Sequence, residues 1–315
     1  MINRRLIRIK SLQTFYAYTK GGIESVESAE KELQANFQKT YDLYFIMFSL
    51  VIEISDFARW KIEQGKRKLL PTEEDLNPNT KFADNKLVEQ LRENKHLQDN
   101  LKRIRFSWVD DKNLIKKIYN QLIQSSQYKE FMNSQDDSYQ AHKDIILYLV
   151  EEILYNCDDL YDTLEEKSIY WADSVDYVIV MTAKTLRKFT IGDDLTKKLL
   201  PKFRLEEDYV YARELLTKTI LRKKHYIQTL EDHIENWEIN RLATIDVLIL
   251  QLALHELLYF EEIPVKVTLD EYIDIAKYYS TERSPAFING ILDKIVNKFK
   301  EEDLIKKSGR GLIEN

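Results

Sequence analysis

The sequence predicts an all-α fold, and three observations carry that expectation. Only 7 Gly and 5 Pro occur in 315 residues, too few for the turns and bulges of a sandwich, a barrel or a nucleotide-binding α/β sheet. Apolar residues recur at helical spacing through most of the chain, and the charged share of 32% exceeds the usual quarter, as long helices with solvated faces require. The hydrophobic share of 44% is enough for a packed core.

The helices read in order as follows. Residues 3 to 19 form a first helix with Leu6, Ile9, Tyr16 and Ala17 on one side and Arg4, Arg8 and Ser11 on another, ended by Gly21 and Gly22. Residues 24 to 68 read as two helices. The second contains an apolar segment from Tyr44 to Ile54 that must be buried, with the first helix and residues 245 to 258 as its expected cover. A loop spans LLPTEEDLNPNTKF with Pro71 and Pro78. Charged helices follow at 85 to 108 and 112 to 133, then helices near 141 to 157, 159 to 172 and 174 to 189. A linker with Gly192 and Pro201 leads to helices at 207 to 223, 225 to 237, 240 to 260, 269 to 279 and 285 to 300. Ser284 and Pro285 suit the N-cap and first turn of the last of these, and residues 301 to 315 read as a flexible tail.

Composition also limits function. The single Cys157 cannot form an internal disulfide or a cysteine-based zinc site, which fits a cytoplasmic setting. No stretch has the 18 or so uncharged apolar residues of a membrane span, and the opening MINRRLIRIK has no uninterrupted apolar run of the kind a secretory signal needs. The net charge of −6 speaks against nucleic acid, yet residues 1 to 23 contain no acid and hold Arg4, Arg5, Arg8, Lys10 and Lys20, a local basic patch. These arginines can be a solvated helix end. Cations near a helix N-terminus oppose its dipole, however, so an anion to neutralise them is the functional alternative.

Enzymatic motifs are fragmentary. Asp158, Asp159 and Asp162 have the spacing by which helical isoprenoid synthases hold magnesium and diphosphate, but no second acidic motif follows. His255-Glu256 begins a zinc-protease pattern that fails at Tyr259. No cofactor and no catalytic residue are expected. Thr163-Leu164-Glu165 with Trp171 recurs at Thr229-Leu230-Glu231 with Trp237, a shift of 66 residues, either a degenerate duplication or the chance similarity of two charged amphipathic helices.

The last third holds Trp237 with Arg241 and Leu242, the Ile263-Pro264 turn, and Phe287, Asn289, Gly290, Leu292 and Asp293 in SPAFINGILDKI, and in these residues it resembles the NusB antitermination family. RRLIRIKSLQTFYAY resembles the family's Arg-rich first helix, and DYVYARELL at 208 to 216 the helix before the Trp motif. Asp270, Ser280 and Arg283 depart from the residues common in that family.

The resemblance implies a NusB-like helical bundle made from residues 1 to 22 and 206 to 300, with residues 23 to 205 as a large additional helical insertion. It implies binding of boxA-type single-stranded RNA together with the ribosomal protein NusE in the RNA polymerase antitermination complex, without covalent chemistry. The RNA site it implies consists of Arg4, Arg5, Arg8, Lys10, Arg283, Phe287 and Asn289, and the partner surface of Tyr16 and Asp246. Core packing is the alternative for Phe287, and favourable placement at a helix N-terminus the alternative for Asp246. RNA methyltransferases with a NusB-like appendage would need a cofactor-binding α/β domain, for which the residues are absent. An isoprenoid-synthase-like enzyme, or a helical interaction module that does not bind RNA, is the competing reading.

Overall fold

The computed structural model describes residues 1 to 233 and 241 to 312. In chain order the helices begin with α1 (Arg4–Thr19), α2 (Val26–Lys66), α3 (Glu73–Leu76), α4 (Lys86–Glu93), α5 (Lys95–Ile104), α6 (Lys112–Gln124), α7 (Ser126–Asn133) and α8 (Tyr139–Tyr148). They continue with α9 (Asp158–Lys167), α10 (Val175–Arg187), α11 (Glu206–Leu221), α12 (Lys223–Glu231), α13 (Thr244–Tyr259), α14 (Val265–Tyr279) and α15 (Ser284–Glu301). Among the described residues there is no strand, only an isolated bridge between Ile2 and Phe203. The fold is all-α, and none of its described helices is long and apolar enough to cross a membrane.

The chain divides into two compact units. One comprises Met1 and Gln38–Lys202, the other Ile2–Phe37 and Phe203–Asn315. The division falls inside α2, which is one continuous helix of 41 residues and not the two expected. No Pro, and no Gly before Gly65, interrupts residues 26 to 64, so nothing in the backbone chemistry stops the helix there.

In the 38–202 unit the apolar segment Tyr44–Ile54 is buried almost throughout. Residues of its own unit cover it, which corrects the cover expected from the first helix and residues 245 to 258. The Tyr44 hydroxyl shares a hydrogen bond of 2.7 Å with that of Thr185, the Trp108 indole donates to Ser49 Oγ at 3.0 Å, and the Trp171 indole donates to the Lys39 carbonyl at 2.9 Å. Buried aromatics thus keep their polar atoms paired.

Two buried asparagines order this unit. Asn94 ends α4 and caps α5, accepting from the Leu97 amide at 2.8 Å while its amide donates to the Lys197 carbonyl at 2.9 Å. Asn85 caps α4 through the Leu87 and Val88 amides and donates to the His142 carbonyl at 2.9 Å. Each joins a helix terminus to a distant segment, so the predicted helix over 85 to 108 is broken where Asn94 turns the chain. Similarly, Ser125 separates α6 from α7, and the predicted loop from Leu69 contains α3, held by a capping box between Thr72 and Asp75.

In the second unit α1 packs on α11 and α13, α13 on α14, and α15 on both α13 and α14. The chain after α15 is held as far as Leu312, in place of the flexible tail expected. The Ser308 amide donates to the Glu261 carbonyl at 3.1 Å and Lys307 Nζ to the Phe260 carbonyl at 3.0 Å. The two similar segments of the 66-residue shift lie on α9 and α12, one in each unit. Trp237, which belongs to that similarity and to the Trp motif, lies outside the described residues.

Asn94→Ala removes both a cap and a buried bond to Lys197. We expect a loss of about 1 to 3 kcal/mol in urea unfolding, and a loss under about 0.5 kcal/mol would contradict this role.

Candidate RNA-binding site

The site rests on α13, whose sequence TIDVLILQLALHELLY is apolar on every side except for a few polar residues. Asp246 lies in its first turn and Glu256 near its end, both buried. Ten residues separate them, about 15 Å along a helix axis. Each acid holds a different part of the site.

Glu256 receives Arg8 through a bidentate pair, Nε to Oε2 and a terminal nitrogen to Oε1, both at 2.8 Å. Thr268 Oγ1 also donates to it at 2.8 Å, the Tyr211 hydroxyl at 2.5 Å and the Tyr272 hydroxyl, more weakly, at 3.4 Å. Burial pushes the Glu256 carboxyl upward, but the Arg8 charge and these hydrogen bonds outweigh it and hold the group below the ordinary carboxylate range. Burial likewise works against the Arg8 charge, and the surrounding Tyr211 and Glu256 overcome it. Neighbouring His255, buried against the Tyr226 hydroxyl at 2.8 Å, is pushed down to about 4 by burial and by Arg222.

These contacts correct the expectation for α1. Its buried residues include Leu6, Ile7, Arg8, Lys10, Leu12 and Phe15, whereas Tyr16 is 39% exposed. Arg8 and Lys10, 2% and 1% exposed, are interior side chains and not part of a solvent-facing phosphate patch. The Glu256 carboxylate already occupies Arg8. Arg4 and Arg5 remain half-exposed. Arg4 contacts the buried Asp208 at 3.3 Å with its guanidinium 5.1 Å from the Tyr211 ring centre, and Arg5 contacts the part-exposed Asp274 at 3.4 Å. The Arg5 pair is partly solvated and therefore weak. Both arginines line a cleft of about 690 Å³ with Asn3, Ile263, Pro264 and Lys266.

Asp246 organises the other part. It accepts from Ser280 Oγ at 2.5 Å and Ser284 Oγ at 2.8 Å, which ties the turn before α15 to the first turn of α13. Ser284 is therefore a buried donor to Asp246, and α15 has no side-chain cap, contrary to the N-cap expected of it. Asp246 is 6% exposed, so its carboxylate is an interior group and not the surface contact expected of it. Ser280 supplies one of its two donors.

That turn presents Arg283 exposed, Phe287 half-buried and Asn289 exposed. Asn289 donates to Asp293 at 3.1 Å. A Cβ at Gly290 would meet nothing within 4 Å, so no neighbouring backbone requires glycine there. The acidic trio of the isoprenoid-synthase reading forms no such site. Asp159 is ion-paired with Lys117, and among the described residues no group of three or more His, Cys, Asp or Glu could hold a metal ion.

Sequence reasoning names Arg8 and Asp246 but gives them surface roles, and it passes over Glu256 once the zinc motif is rejected. The available signal is an acid on a helix with no polar face, which demands a buried cation.

The fold and site define an all-α protein whose first helix is locked by a buried ion pair and whose last helix carries the half-buried Phe287 in its first turn. Residues 177 to 297, from within α10 to the last turns of α15, match the NusB family model. Three similar proteins are each named transcription antitermination protein NusB. That of Chloroherpeton thalassium is 37% identical over 139 residues, 43% of this chain and 64% of the relative. That of Salinibacter ruber is 45% identical over 103 residues, 33% of this chain and 64% of the relative. That of Pseudothermotoga lettingae is 50% identical over 70 residues, 22% of this chain and half of the relative.

The chain thus spans less than two thirds of the length of these relatives. No solved structure matches the chain.

Because Glu256 is held below its unfolded carboxylate range, it contributes stability above about pH 4.3 that is lost as pH falls through its folded value. Glu256→Gln leaves the Arg8 charge uncompensated and is expected to cost about 3 to 5 kcal/mol near neutral pH, with a shallower loss of stability on acidification. An unchanged urea midpoint, or an acid profile identical to that of the parent, would contradict the pairing.

Proposed function

We propose that the chain is a transcription antitermination factor that binds boxA RNA of nascent ribosomal transcripts together with the ribosomal protein NusE. It acts in the RNA polymerase antitermination complex, in the cytoplasm. The observation that carries this reading is the half-exposed Phe287 flanked by exposed Arg283, Asn289 and Gly290. A half-exposed aromatic beside a guanidinium and a carboxamide suits an unpaired base, which stacks on the ring and hydrogen-bonds at its edge.

Arg4 and Arg5 would neutralise phosphates of the same RNA. Arg8 and Lys10 support this face from within, by fixing α1. For NusE, the exposed Tyr16 with Lys20 Nζ 5.6 Å from its ring centre is the direct contact. Asp246 holds the adjoining Ser280–Ser284 turn. Charge reversal at Asp246 would therefore disturb the protein itself and cannot isolate a partner contact.

Phe287→Ala should weaken binding of a boxA RNA oligonucleotide roughly 5- to 100-fold, the range for removing one base stack, with little change in melting temperature. Arg4→Ala with Arg5→Ala should lower the magnitude of the salt slope by about 1.4, which is about 0.7 for each single-strand phosphate no longer neutralised. Unchanged affinity in both variants would favour a helical interaction module without RNA binding.

A further inference from the structure

The chain beyond α15 returns to the end of α13 and is fastened there. Besides the bonds from Ser308 and Lys307 to the Glu261 and Phe260 carbonyls, Gly311 is buried against Glu261. Its amide donates to the Ser308 carbonyl at 2.8 Å. A Cβ at Gly311 would collide with the Glu261 carbonyl oxygen, so only glycine permits this approach. Burial pushes the Lys307 ammonium down to about 8, against the pull of Glu256 and Glu261, and the group remains mostly charged at pH 7.

The residue between the two glycines of this turn is Arg310. Its side chain is exposed and lines the same cleft as Arg4 and Arg5. The cleft also holds Glu262, Asp270 and Glu271, so its attraction for an anion depends on how many cations reach it. Arg8 is already committed to Glu256, which leaves Lys266 and the rim arginines to set that balance.

We propose that Arg310 is a further phosphate-binding residue of the RNA site, delivered to the cleft by the Gly311-anchored turn. The inference rests on the RNA-binding reading of Arg4 and Arg5. Nothing in the helical core obliges an arginine at 310, whereas the docking of Gly311 fixes where its side chain emerges. A guanidinium there can grip the next phosphate of a strand already held at Arg4 and Arg5.

The test uses the full chain and a fluorescent boxA-type RNA oligonucleotide over a series of salt concentrations. Arg310→Ala should weaken binding roughly 3- to 10-fold at about 0.1 M salt and reduce the slope by about 0.7, the share of one single-strand phosphate. Arg310→Lys should keep the slope. Gly311→Val, which retains the arginine and undocks the turn, should weaken binding as much as Arg310→Ala does, while the melting temperature stays close to that of the parent. If the parent binds RNA and Arg310→Ala binds with unchanged affinity and slope, the inference is overturned and the RNA-binding reading stands. If the parent itself binds no RNA, the RNA-binding reading falls first.

Discussion

The buried pair between Arg8 and Glu256 is the constraint on which the second unit depends. An uncompensated carboxylate in an apolar helix would be costly, and a lone guanidinium equally so. Their bidentate contact, completed by Thr268, Tyr211 and Tyr272, satisfies both. The geometry then fixes three helices at once: α1 through Arg8, α11 through Tyr211, and α14 through Thr268 and Tyr272. Arg4 and Arg5 project from the first turn of a helix that cannot rotate without stranding a charge. Precision at a surface patch is thus obtained from an interior contact, as a binding site on a rigid element requires.

Asp246 repeats the device with neutral partners. It caps no ligand and meets little solvent, yet it determines where Ser280 and Ser284 lie, and so where Arg283 and Phe287 emerge. With Glu256 at the other end, α13 sets the spacing between the first turn of α1 and the start of α15. In the 38–202 unit, Asn85 and Asn94 serve a related purpose. Their side chains cap helices and bind distant carbonyls at the same time, which lets short helices such as α4 and α5 form despite their length.

Much of the fold is legible in the sequence because few residues break helices and the apolar spacing is regular. Helix limits near α10, α11 and α15 follow from that pattern to within a residue or two. Other features are hidden for physical reasons. Periodicity treats charge as a surface label, so it assigns Arg8 and Lys10 to solvent when a buried acid far along the chain draws Arg8 inward. Asp246 is made a contact residue by the resemblance alone, whereas its carboxylate is buried against Ser280 and Ser284. Turn chemistry at Asn94 and Ser125 interrupts helices whose periodicity runs on across them, and α2 continues where the pattern suggests a break. The tail from Lys306 to Leu312 reads as loose because its composition is polar and small, and that composition is what lets Gly311 approach a backbone carbonyl.

The central claim is that RNA meets the second unit along the face set by the two acids of α13. The most direct measurement is photo-crosslinking of the full chain to a boxA oligonucleotide carrying thiouridine, with the attached peptides read by mass spectrometry. The account predicts crosslinks at the first turn of α1 and around Phe287. Crosslinks confined to residues 38 to 202 would contradict it.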